Sequence, residues 1–185
     1  MRPLVLARPA AAALALAGLA GCGYALVGRG ITTDASIKRI GVPLFKDTTG
    51  RPGLDQTITR KVIEELLRRG RFDVVPQTTG VDAVVEGELI GYQATPVGFE
   101  GTEGQARAAG SQTQASRYAV TVTARIKYAK PGAPEPIWAN DSFTFRDEYD
   151  VGSDPSSFFD REGQAVDRLA QSFARSLVSA MLEAF

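Results

Sequence analysis

The sequence contains no histidine and only one cysteine in 185 residues. Without histidine there can be no Ser-His-Asp triad, no Cys-His pair and no imidazole metal site. A lone cysteine cannot form an internal disulfide or a cysteine-rich zinc site. Net charge is missing too. Lysine plus arginine and aspartate plus glutamate both number 21, so no overall field draws in nucleic acid or a bare anionic membrane. Carboxylate or lysine chemistry remains open, yet no cluster of such groups converges, and neither an enzymatic activity nor a cofactor is expected. What is present suits a folded domain: 44% hydrophobic and 23% charged residues, in a length that allows one domain with one core.

The cysteine closes an apolar run, "LALAGLAGCGY", Leu14 to Tyr24. Arg2 and Arg8 precede that run and small residues end it, which is the plan of a secretory signal peptide over residues 1–21. Leu19-Ala20-Gly21-Cys22 is similar to a bacterial lipobox, and Cys22 is then the acylated first residue after cleavage. Cysteine suits that step because its thiolate is a strong nucleophile toward a lipid donor. An uncleaved span from Pro9 to Gly28 would be long enough to cross a bilayer. However, Gly18, Gly21, Gly23 and Gly28 interrupt it, and alanine dominates over leucine. Two or more acyl chains, at ~0.8 kcal/mol per buried methylene, anchor a protein stably. Gly23, in place of the aspartate that retains many lipoproteins in the inner membrane, favours the outer one. Residues 22–36 form a short lipidated tether, and 37–185 the folded part, facing the periplasm.

In "SIKRIGVPLF" Ile40, Val42 and Leu44 alternate as in a strand, and Pro43 argues for an edge or an end. Leu54, Ile58, Val62, Ile63, Leu66 and Leu67 recur at helical spacing, and Gly70 is placed to cap a helix from 54 to about 69. "RFDVVPQ" and "VDAVVEGELIGYQA" read as strands, although Val85, Leu89 and Tyr92 do not share one face. The clearest strand is Arg117 to Tyr128, with Tyr118, Val120, Val122, Ala124, Ile126 and Tyr128 on one face. It leads through a hairpin into "IWANDSFTFRDEY". Pairing Tyr128 with Ile137 sets Val122 against Phe143 and Val120 against Phe145. Asp154-Pro155 opens a last helix, whose stripe is Phe159, Val166, Leu169, Phe173, Leu177 and Met181. Two helices on one face of a mixed four- to five-stranded sheet make an α+β two-layer sandwich.

Residues 94–114 form a long, glycine-rich, flexible loop within this domain. Loops of such length are usually functional or disordered. Phe99 favours a partner contact there, against a mobile tip with no role. The polar face of the hairpin carries Arg117, Arg125, Lys127 and Arg146. It is either a solvated face or a surface where arginine forks meet phosphate or carboxylate. Trp138 is predicted on that same face, which a purely solvated sheet would not need. The acids Asp147, Glu148, Asp150 and Asp154 lack the pattern of a calcium loop.

Taken in order, "GCGYALVGRG", "IKRIGVPLFKDTTGRPGLDQTITRKVIEELLRRGRFDVV", "DAVVEGELIGY", "RYAVTVTARIKY" and the final helix resemble the lipopolysaccharide-assembly lipoproteins of the LptE family. The resemblance implies a non-enzymatic outer-membrane lipoprotein acylated at Cys22. It further implies a partner, the large β-barrel LptD, whose lumen the lipoprotein plugs and whose assembly it aids while lipopolysaccharide is inserted. Family members contact lipopolysaccharide through basic residues near loops. Arg107, Arg117 and Arg146 are the candidates here by position, with Phe99 and Trp138 for the partner. A lipoprotein activator of a peptidoglycan synthase is the main rival, but it usually carries a longer tether. A pore-forming secretion lipoprotein would need more amphipathic spanning strands than the one at 118–128.

Overall fold

The computed structural model describes residues 36–100, 114–151 and 158–183. In chain order these form β1 (Arg39–Gly41), β2 (Lys46–Asp47), α1 (Leu54–Arg68), β3 (Asp73–Val75), β4 (Ala83–Glu100), β5 (Gln114–Ala129), β6 (Trp138–Asp150) and α2 (Phe158–Glu183). The sheet order is β3-β1-β4-β5-β6, with β2 also paired to β4. β4, β5 and β6 run antiparallel, whereas β1 is parallel to both β3 and β4. Both helices cover one face, so the fold is α+β as expected, with β2 as a sixth strand. The expected signal peptide, Cys22 and the tether up to residue 35 lie outside the described residues, as does Asp154-Pro155. The connection expected over 94–114 is shorter than that: 94–100 continue β4, and β5 already begins at Gln114.

β1 and β2 lie along the same side of β4, separated by Pro43, which has no N–H to give a ladder. Pro43 follows the end of β1, and β1 is an interior strand, so the edge alternative is excluded. The break also reverses the alternation. Leu44, expected inward, is 58% exposed, and Phe45 is buried instead. The Phe45 amide donates to Thr59 Oγ1 of α1 at 3.0 Å. Its ring lies so close over Gly87 that a Cβ there would meet it at 2.4 Å.

Two bulges flank the middle of β5. In β4, Leu89 pairs with Ala124 but Gly91 with Thr123, so Ile90 is the extra residue. In β6, Asn140 pairs with Ile126 but Phe143 with Ala124, leaving Asp141 and Ser142 opposite Arg125 alone. Each extra residue changes which face the following side chains occupy. Leu89 and Tyr92 therefore both point toward the core, although their spacing forbids it in a regular strand. Trp138 and Phe143 likewise share the core face, with ring centroids 5.9 Å apart. This corrects the placement of Trp138 on the polar face. It also shifts the hairpin register, because Val122 stands opposite Phe145 and Tyr128 opposite Trp138.

α1 buries Leu54, Ile58, Val62 and Leu66 at helical spacing, while Leu67 in its last turn is exposed. Glycines in the left-handed region bound it, Gly53 at φ 76° and Gly70 at φ 66°, where other residues are strained. α2 buries Val166, Leu169, Phe173, Leu177 and Met181. Phe173 meets Phe143 and Phe145 at 5.0 and 5.6 Å between centroids. Phe159 is not part of the stripe, being 71% exposed. Running back from Val166 in steps of four, the buried face passes Glu162 and reaches Phe158, which packs on Tyr118 and Tyr149. The two helices are tied by Lys61–Asp167 at 3.0 Å and Arg69–Ser179 at 2.8 Å.

Candidate functional site

The long strands carry a cavity of about 750 Å³ at the end where β4 finishes and β5 begins. Register builds it. Arg117 of β5 lies between Gly98 of β4 and Asp150 of β6, and alternation along β6 puts Arg146, Glu148 and Asp150 on one face. Arg161 reaches in from α2. Val97 and Phe99 supply an apolar flank, Phe99 being 59% exposed.

The charges are mostly paired. Arg117 Nε meets Asp150 Oδ1 at 2.7 Å, and Arg146 Nη2 meets Glu148 Oε1 at 2.9 Å. Hydrogen bonding to Asp150, with its negative charge, raises the Arg117 pKa further above its ordinary value. Arg161 Nη1 donates to the backbone carbonyl of Asp150 at 3.1 Å. Three guanidinium groups against two carboxylates, beside an exposed aromatic ring, make a place for an anion with an apolar neighbour. No group of three or more metal-ligating side chains lies close enough together among the described residues to hold a metal.

Behind this cavity, on the core face, Glu162 is buried, its side chain 5% exposed, with Arg51 Nη1 at 3.5 Å. The Tyr92 hydroxyl donates to Glu162 Oε1, and Arg51 lies over the Tyr92 ring, 5.3 Å from its centroid. Burial, then the Glu162 hydrogen bond and charge, push the Tyr92 pKa well up. Tyr149 is raised to about 12, by burial first and the Glu162 charge second. Its hydroxyl is buried and has no hydrogen-bond partner among the described residues.

The family model described as LptE, lipopolysaccharide-assembly, matches residues 37–181. The chain belongs to the LptE family. That gives it a role in lipopolysaccharide assembly as a lipoprotein. Two solved structures agree on the fold. The Xanthomonas campestris protein XCC0632 is 11% identical with a TM-score of 0.54, the match covering 80% of this chain and 85% of that one. For the Chlamydia trachomatis protein CT253 the identity is 7% and the TM-score 0.51, with 80% and 96% covered. The rare lipoprotein B of Shewanella oneidensis is 13% identical over 78% of this chain and 93% of its own, with a TM-score of 0.48. No curated relative matches the sequence. Among the described residues no helix is long and apolar enough to cross a membrane.

Of the LptE-type candidates read from the sequence, Phe99, Arg117 and Arg146 meet in this one cavity. Phe99 does so from a strand, not from a loop tip. Arg117 and Arg146 are less close than the expected register made them. Arg146 stands opposite Thr121, four residues along β5 from Arg117, or ~13 Å at strand rise. Trp138 packs on the core, which removes the reason for assigning it to a partner. Arg107 lies outside the described residues. Arg125 binds Glu88 at 2.9 Å, and Lys46 holds the same carboxylate at 3.1 Å. The two cations keep the Glu88 pKa below its ordinary value, Lys46 first. Sequence reasoning missed Arg161 and the pairing roles of Glu148 and Asp150. The alternation Arg146, Glu148, Asp150 could have shown the pairing, but nothing in the sequence links Arg161 to this strand end.

Proposed function

We propose that the protein is an outer-membrane lipoprotein, anchored through acylated Cys22, that plugs the lumen of the β-barrel LptD, aids its assembly and contacts lipopolysaccharide. Membership of the LptE family over residues 37–181 carries this reading. The cavity at the strand ends supports the lipid contact, since it joins arginines to an apolar flank as a phosphorylated lipid requires. In this reading residues 1–21 are removed as a signal peptide and 22–36 form the tether. Arg117 and Arg146 meet the phosphate, and Phe99 meets acyl chain or barrel. The sheet and helices hold these side chains without taking part in any reaction.

Capture of the tagged protein from detergent-solubilised outer membranes tests the partner, and a large β-barrel should co-purify in stoichiometric amount. Recovery of a peptidoglycan synthase instead would overturn the reading. For the lipid, Arg117→Gln combined with Arg146→Gln should weaken lipopolysaccharide binding about tenfold, each charge-assisted contact being worth at the exposed end ~0.7 kcal/mol. Unchanged binding would leave this face as solvated scaffold.

A further inference from the structure

We infer that the cavity works by counter-ion exchange: Asp150 neutralises Arg117 until a phosphorylated lipid headgroup replaces it, and Arg161 of α2 completes the phosphate's binding set. This rests on the lipopolysaccharide reading and adds to it the state of the site before ligand arrives and the residue that completes it.

Asp150 stands at the centre of the arrangement. Its carboxylate takes Arg117 Nε at 2.7 Å, and its backbone carbonyl takes Arg161 Nη1 at 3.1 Å. One residue therefore occupies the first guanidinium and holds the second beside it through a neutral acceptor. Glu148 repeats the device on Arg146, at 2.9 Å. Arg117 and Asp150 are both more than half exposed, and ion pairs in such surroundings hold weakly. A phosphate monoester carries about −1.5 to −2 charges and three strong acceptor oxygens. It can meet two forks at once, where the Asp150 carboxylate holds the Arg117 fork. Entry is open on the β4 side, where Gly98 has no side chain. A Cβ there would approach Arg117 Cβ to 3.0 Å. Val97 and Phe99 lie next to this opening, so the ligand that fits is a phosphate joined to an apolar body.

The full chain in detergent is titrated with doubly phosphorylated lipid A, with the same lipid dephosphorylated, and with inorganic phosphate as competitor. Asp150→Asn keeps the carbonyl that holds Arg161 but frees Arg117, and should bind lipid A about three- to fivefold tighter. Arg161→Gln should bind about fivefold weaker, with a shallower dependence on salt. Glu148→Gln should shift binding in the same direction as Asp150→Asn, and it serves if that variant folds poorly. Inorganic phosphate should displace lipid A, and the dephosphorylated lipid should be indifferent to all these changes. If the Arg117/Arg146 double variant weakens binding while Asp150→Asn, Glu148→Gln and Arg161→Gln match the parent, exchange is wrong and the lipopolysaccharide reading survives. If every variant binds as the parent does, both fall.

Discussion

Changing Tyr92 and Tyr149 to phenylalanine, one at a time, should move stability in opposite directions. Both hydroxyls lie inside the domain near Glu162, but among the described residues only that of Tyr92 is bonded. The Tyr92 hydroxyl donates to a carboxylate that is itself buried. Removing a hydrogen bond to a charged group costs about 1.5–3 kcal/mol, and among the described residues Glu162 would keep the longer Arg51 contact of 3.5 Å. The Tyr149 hydroxyl is buried without a partner among the described residues, which already costs the native state about 1–3 kcal/mol in lost hydration. Phenylalanine there keeps the ring packing on Tyr118 and Phe158 and deletes the orphan oxygen. The two variants should therefore differ by about 3–5 kcal/mol, or on the order of 10 °C in Tm for a domain of this size. Urea denaturation followed by far-UV circular dichroism, with equal m values as the control, measures it. A Tyr149→Phe protein clearly less stable than the parent would refute the accounting, since its hydroxyl would then have to be satisfied.

The same tyrosines set an alkaline limit. Folding raises both pKa values, to about 12 for Tyr149, so the folded state holds these protons more tightly than the unfolded chain does near ~10. The Tyr149 contribution is complete below pH ~10 and disappears as pH rises through about 12, while that of Tyr92 also begins to fall above pH ~10; Tyr149→Phe should flatten that decline, and a superimposable pH profile would argue against it. Gly87→Ala should destabilise by about 1–3 kcal/mol, because its methyl meets the buried Phe45 ring at 2.4 Å and overpacking of this kind forces side chains aside. Adding Phe45→Leu should recover part of the loss, and strict additivity of the two would place the clash elsewhere. Cys22→Ser should abolish labelling by a palmitate analogue while leaving the melting of the folded domain unchanged; equal labelling of both proteins would remove the lipoprotein anchor.

Local periodicity was legible wherever the backbone stayed regular. From Arg117 to Tyr128 β5 runs without a bulge of its own and α1 repeats at 3.6, so their buried faces followed from residue type alone. The misplaced side chains share a cause, a change of phase that composition does not announce. Pro43 exchanged Leu44 for Phe45, the Ile90 bulge brought Tyr92 inward, and the Asp141–Ser142 bulge turned Trp138 to the core. Phe159 failed differently. Its seven-residue spacing from Val166 leaves it only ~20° from that residue around the helix, so periodicity alone does not foretell its exposure; Phe158 is the ring that packs on Tyr118 and Tyr149. As for the site, alternation brought Arg117 and Arg146 to the correct face. Arg161 depends on how α2 meets the end of β6, a tertiary relation absent from any local pattern.

The bulge at Ile90 connects that tertiary relation to the sequence. One extra residue in β4 points Tyr92 into the core, where it bonds Glu162. Glu162 directly follows Arg161 in α2, so the buried bond fixes the turn from which Arg161 reaches the Asp150 carbonyl. Tyr92 touches none of the cavity's charges, yet it should act on the site as a positioning residue. Tyr92→Phe should weaken lipid A binding two- to threefold at a temperature where the variant is still folded, less than the loss of Arg161 itself. Combined with Arg161→Gln it should add nothing further, because both changes remove the same contact. A double-mutant cycle reads this coupling directly, since independent sites add and linked ones do not. Full additivity would show that Tyr92 serves stability alone and that Arg161 finds its place without it.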